Sequence, residues 1–213
     1  MTAGRFITLE GGEGAGKSTQ LRRLAETLAK SGFEVVTTRE PGGSPSAEKI
    51  RGLLLDPAAR WEPAAEALLH FAARSDHYTT VIAPALRRGA WVVCDRFADS
   101  TRAYQGYGLG LDAAVIETLY EITLGDFAPD LTLVLDLPVE TGMERIRRRE
   151  GMADRYERMD RAFHERLRRG FLDIAARNPE RCAVIDADAD PDTVFSRIMG
   201  CVGDRLGIAV GAS

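Results

Sequence analysis

Lysine is nearly missing from this chain. Among 28 basic residues only Lys17, Lys30 and Lys49 are lysines, so arginine is the default cation. Cysteine is scarce as well. Cys94, Cys182 and Cys201 lie far apart, and no C-x-x-C pair occurs. That excludes a disulfide framework and a thiolate metal site, and it fits a reducing compartment. No apolar run approaches the ~20 residues of a membrane span. The opening "MTAGRFITLEGG" has only four uncharged residues between Arg5 and Glu10, so it does not read as a signal peptide. A net charge of −4 gives no basis for a general affinity for nucleic acid or membrane. The single asparagine, Asn178, leaves no N-K-x-D motif with which a GTPase would read guanine. The expectation is a cytoplasmic enzyme.

Hydrophobic residues make up 45% of the 213 positions, enough for one core. The apolar runs "FITL", "EVVTTRE", "AWVVCD", "LTLVLDL" and "CAVIDA" read as five buried strands. Helical spacing fills the intervals: 17–30, 46–55, 62–88 with a bend before Pro84, 111–124, 139–149, 158–177 and 193–206. Strands alternating with helices predict an α/β fold, a doubly wound five-stranded parallel sheet flanked by helices. With no linker or repeat, residues 1–213 form a single domain in this reading. Ligands of such sheets bind at the carboxyl ends of the strands.

Gly11 to Ser18 matches G-x-x-x-x-G-K-S between a strand and a helix, the phosphate-loop context of P-loop NTPases. Glycines let successive amides point inward, and the helix N-terminus adds partial positive charge. The ATP-binding candidates are therefore Gly11, Gly12, Glu13, Gly14, Ala15, Gly16, Lys17, Ser18 and Thr19. Lys17 should reach the β- and γ-phosphates, and Ser18 should ligate Mg²⁺. Asp95, ending the third strand, stands where a Walker-B-like carboxylate belongs, holding Mg²⁺ through water. The loop alone leaves three classes open: a GTPase, an ATP-driven motor or transporter subunit, and a kinase of a small acceptor. Absence of N-K-x-D and of partner-binding extensions favours the kinase. One oddity stands out. Glu13 puts an acid inside an anion cradle.

A kinase needs an acceptor pocket, and Arg51 and Arg96, the residue after Asp95, supply candidate anion ligands. The runs "FITLEGGEGAGKSTQ", "TREPGG", "FAAR", "DRFADSTRAYQGYG" and "DLTLVLDLP" resemble the thymidylate kinase family from about Phe6 to Ala187. The resemblance implies ATP on the loop, dTMP opposite, and a homodimer. It implies that Arg51 and Arg96 hold the acceptor phosphate, that Arg74 bonds thymine, and that Thr101 and Gln105 lie near the base. Tyr104 would lie beneath the sugar and crowd out a 2′-hydroxyl, and Glu13 would face the acceptor's 3′-hydroxyl. At the position where the family stacks an aromatic on thymine this chain has His70, followed by Phe71. Either ring can stack, and Phe71 is the favoured one. Adenine contacts are implied around Ala187.

The acceptor is a phosphate monoester with a second pKa of ~6, so its oxygen is already a nucleophile and no general base is needed. The demand is for positive charge on a loose transition state. The loop contributes no arginine. Arg145 to Arg169, in contrast, holds ten arginines against five acids. The resemblance implies an arginine-rich lid near 145–158 and the subgroup whose catalytic arginine sits there. Arg149 and Arg155 are the candidates, with Arg148 close behind, acting with Lys17 and Arg96.

Overall fold

A computed structural model describes residues 4–148 and 155–208. Five parallel strands form one sheet: β1 (Phe6–Glu10), β2 (Val35–Arg39), β3 (Trp91–Asp95), β4 (Leu131–Asp136) and β5 (Cys182–Asp186). Their spatial order is β2-β3-β1-β4-β5. The central β1 pairs Leu9 with Asp95 on one side and Leu9 with Leu133 on the other. The chain builds β2 and β3 on one side of β1 and then crosses to place β4 and β5 on the other, and at this reversal a crevice opens at the carboxyl ends of β1, β3 and β4.

Alternation along β1 assigns its side chains to opposite faces. Ile7 and Leu9 join a core cluster with Leu24 and Leu28 of α1 (Lys17–Lys30) and Val194, Ile198 and Val202 of α9 (Pro191–Leu206). Phe6 points the other way, into a cluster with Val92, Cys94, Ile82 and Phe97. A third cluster sets Val134 of β4 against Phe163, Leu167 and Phe171 of α8 (Arg161–Arg177). Each fully buried side chain of this size contributes ~1.5–3 kcal/mol. Both sheet faces are covered, which is the predicted doubly wound α/β architecture.

The remaining helices are α2 (Pro45–Leu55), α3 (Pro63–His77), α4 (Ala83–Arg87), α5 (Ala98–Thr101), α6 (Ala113–Leu124) and α7 (Val139–Arg148). Three differences from the sequence reading matter. The predicted long helix 62–88 is interrupted by a π-helical turn at Tyr78–Ile82, which precedes Pro84 and absorbs the bend. After β3, α5 runs directly into a second π-helical segment, Arg102–Gly108. No apolar period marks this segment, because the polar Asp99, Ser100 and Thr101 are buried together with Ala98. The helix expected from 158 starts at Arg161, where the Asp160 side chain accepts from Phe163 N.

Candidate active site

The phosphate loop is built by backbone geometry. Gly14 has φ 74°, and a Cβ there would lie 2.5 Å from the Gly142 carbonyl oxygen of α7. The loop and α7 therefore touch backbone to backbone, which only glycine permits. Lys17 is buried, and its Nζ donates to the Gly11 carbonyl at 3.1 Å and the Gly12 carbonyl at 2.8 Å. Burial, then the nearby Arg96 charge, lowers its pKa. Ser18 Oγ donates to Asp95 Oδ2 at 2.8 Å. A hydroxyl and a carboxylate so placed suit a hard divalent cation that takes its other ligands from phosphates.

Beside the loop lies a cleft of 660 Å³. Its loop side is formed by Glu13 to Thr19, and Arg145 borders it as well. Its far side is formed by Arg51, His70, Arg74, Arg96, Thr101, Tyr104 and Gln105. The structure thus gathers residues spread over 13–145 of the chain onto one crevice. Gly11 and Gly12 border a smaller cavity behind the loop.

Arg96 occupies the junction of the two sides. Its φ is 69°, the one positive value at a non-glycine among the described residues. Holding a side-chain residue there is costly, and strain of this kind concentrates at functional sites. Its guanidinium donates to Glu13 Oε1 at 2.8 Å, and to Gly11 O and Ser100 Oγ at 3.2 Å each. Tyr104 donates its hydroxyl to the same Glu13 oxygen at 2.5 Å. Burial alone would raise the Glu13 pKa, but the Arg96 and Lys17 charges outweigh it and bring the carboxyl down to about 2. The acid in the loop is thus a permanent anion turned toward Arg96 and Tyr104.

Arg74 is 2% exposed. Its Nε donates to Glu40 Oε2 at 2.7 Å, and Nη2 donates to Phe97 O at 3.2 Å and Thr101 Oγ1 at 3.1 Å. Its Nη1 is buried with no hydrogen-bond partner among the described residues. Leaving such a donor unpaired costs ~1–3 kcal/mol or more, so a ligand acceptor is called for on the cleft side. His70 Nε2 is likewise shielded and unpartnered. Burial, followed by the charges of Arg74 and Arg96, drives the His70 pKa to about 3. The ring is neutral, and it borders the cleft.

The expectation for Phe71 needs correcting. Phe71 is 1% exposed and is not part of the cleft wall. It stands edge-on to Tyr120 at 6.5 Å and lies under the Arg74 guanidinium at 4.7 Å. A one-residue step along α3 turns it ~100° from His70, into the core. Arg51 borders the cleft while donating to Pro41 O at 2.7 Å. Of the lid candidates, Arg149 lies outside the described residues. Arg148 is exposed and paired with Glu144 at 2.5 Å. Arg155 is bound at 2.5 Å to Oε2 of Glu66, a residue of α3.

Several site residues escaped the sequence reading. Glu40 anchors both Arg74 and, through Oε1 at 3.0 Å, His77 Nδ1. Glu10 accepts from Phe97 N at 2.8 Å and from Ser100 Oγ at 2.6 Å, fixing the turn that follows Arg96. Tyr156 also borders the cleft, and the buried Glu66 accepts from it and from Gln105. For Glu10 and Glu66 the signal was an acid within an otherwise apolar stretch, "ITLEGG" and "AAEALL"; Glu40, in "TREPGG", and Tyr156 carried none.

A family model described as Thymidylate kinase matches residues 9–198. A Caulobacter vibrioides protein named Thymidylate kinase is 58% identical over 209 residues, 98% of this chain and 100% of its own length. One of the same name from Afipia carboxidovorans is 55% identical, covering 98% of this chain and 93% of its own. Among solved structures, a thymidylate kinase from Ehrlichia chaffeensis superposes with a TM-score of 0.77 at 37% identity, covering 94% of this chain and 98% of that one. Likeness of this extent in sequence and fold settles the assignment: the chain belongs to the thymidylate kinase family.

Proposed function

We propose that the enzyme transfers the γ-phosphoryl group of ATP to dTMP, giving dTDP and ADP for dTTP synthesis. The observation that carries this reading is the two-sided cleft. A phosphate loop faces a pocket holding an unpaired Arg74 donor, a neutral His70 ring and Arg51 with Arg96. ATP occupies the loop side, with Gly11 to Thr19 around its phosphates. dTMP occupies the far side, its phosphate between Arg51 and Arg96 and its base near Arg74, Thr101 and Gln105. His70 offers its face to thymine; stacking of a base on such a ring is worth ~1–3 kcal/mol. Tyr104 lies against the sugar, where bulk excludes a 2′-hydroxyl. Glu13 turns toward the 3′-hydroxyl.

Residues 1–213 act as one nucleoside monophosphate kinase domain, with the arginine-rich segment 145–158 as its lid. Catalysis consists of positioning and charge. Lys17 draws the leaving phosphates, and Arg96 bridges the loop and the acceptor. Ser18 and Asp95 would hold Mg²⁺, which neutralises phosphate charge when bound with ATP. Arg149 is the lid candidate for the transferred group. No helix among the described residues is long and apolar enough to cross a membrane, which supports the proposed cytoplasmic site of action. A homodimer is part of the same reading, and nucleic acid is not a partner in it.

The test is product analysis of the purified chain with ATP and Mg²⁺ against dTMP, dUMP, GMP and a 2′-hydroxylated thymidylate. dTDP should form fastest. A preference for any other acceptor, or ADP release indifferent to dTMP, would refute the reading.

A further inference from the structure

Glu66 is a fully buried carboxylate on α3, at 0% exposure. Burying a charge is costly unless it is paired, so the identity of its partners is informative. They come from two separate parts of the chain. Gln105 Nε2, on the acceptor wall, donates to Oε1 at 2.7 Å. The Tyr156 hydroxyl donates to the same oxygen. Arg155 Nη2 donates to the other oxygen at 2.5 Å. Gln105 Nε2 also donates to the Tyr156 hydroxyl at 3.1 Å, closing the group on itself.

The group then reaches the sugar side. The Tyr156 ring stands edge-on to Tyr104 with centroids 4.9 Å apart. Tyr104 in turn donates to Glu13 in the loop. One carboxylate thereby joins Gln105, Tyr104 by way of Tyr156, and Arg155. Arg155 is only 19% exposed, and its Nη1 is buried without a hydrogen-bond partner among the described residues. A guanidinium held in this way is committed to Glu66, beside the cleft residues Gln105 and Tyr156.

We propose that Glu66 is a positioning residue of the acceptor pocket. It fixes Gln105 and Tyr156, which border the cleft, and holds Arg155 against itself behind them, so Arg155 serves acceptor binding through this group and not the transferred phosphoryl group. The inference rests on the assignment of the far side of the cleft to dTMP.

A mutant cycle of Glu66→Gln, Arg155→Gln and the double variant tests it. Glutamine at 66 still accepts from Gln105 and Tyr156 through its one oxygen, while its NH2 group replaces the oxygen that accepts from Arg155 and cannot accept that bond. Each single variant should raise the dTMP KM about tenfold and leave kcat and the ATP KM within about twofold. The double variant should be about as impaired as either single, because both break one contact. Losses that multiply would overturn the proposal, as would a fall in kcat at unchanged dTMP KM in Arg155→Gln. If thermal melts show that Glu66→Gln does not fold, Tyr156→Phe and Arg155→Gln form the second cycle, with the same sub-multiplicative result expected and multiplicative losses overturning it. Wild-type enzyme inert toward dTMP would defeat the functional reading itself. Wild-type turnover with multiplicative losses defeats only the role of Glu66.

Discussion

Replacing Glu13 by glutamine removes the charge on which the two sides of the cleft converge. Only Oε1 accepts hydrogen bonds from described residues, one from Arg96 at 2.8 Å and one from Tyr104 at 2.5 Å. Both donors lie on the acceptor side. A hydrogen bond to a charged group is worth ~1.5–3 kcal/mol, and each ~1.4 kcal/mol is tenfold in a rate or equilibrium ratio. The kcat/KM for dTMP should therefore fall ~10- to 100-fold. The ATP KM should move less than about twofold, since the loop amides that hold ATP are backbone groups. Because Arg96 and Lys17 keep the carboxyl near 2, the contrast with wild type should be flat from pH 6 to 8. Initial rates of ADP formation, with each substrate varied in turn, read both constants. An equal loss for ATP and dTMP would mean that Glu13 only shapes the loop, and the account of its side chain would be wrong.

The two adjacent rings of α3 should separate cleanly. His70→Ala should raise the dTMP KM about tenfold at near wild-type stability, whereas Phe71→Ala should cost about 3–5 kcal/mol in denaturant unfolding. Asp95→Asn should raise the Mg²⁺ concentration needed for half-maximal rate, because it weakens the carboxylate beside Ser18, and an unchanged metal requirement would remove Asp95 from the metal site. Glu10 supplies a pH signature. Burial, then the Asp99 charge, raises its pKa to about 7 from 4.5. The folded state thus binds the extra proton, so this contribution is present below pH 4.5 and is lost as pH rises toward 7. Unfolding free energies of wild type should carry that loss between pH 4.5 and 7, and Glu10→Gln should lack it.

Much of the fold could be read from the chain. Each strand is a short run that begins apolar, almost wholly buried in β1, β3 and β4 and only partly in β2 and β5, and each long helix shows a 3.6-residue period, so the pattern marks them. The segment 98–108 was invisible for a physical reason. Asp99 is buried against Arg181 and Arg102, so polar residues sit where an apolar face is expected. Loop residues such as Lys17 and Ser18 were legible because their spacing is dictated by phosphate geometry. Glu10, Glu40 and Glu66 were not, since a buried acid is defined by partners 34 to 90 positions away. The Phe71 expectation failed on the same ground. Helical adjacency puts two rings near one place, and only packing against Tyr120 decides which is core.

A structure of the enzyme with dTMP bound tests the central claim most directly. The account predicts the acceptor phosphate between Arg51 and Arg96, thymine across the His70 ring with Arg74 Nη1 engaged, and Glu13 at the 3′-hydroxyl. A base seated elsewhere, with Arg74 Nη1 still unpaired, would contradict it.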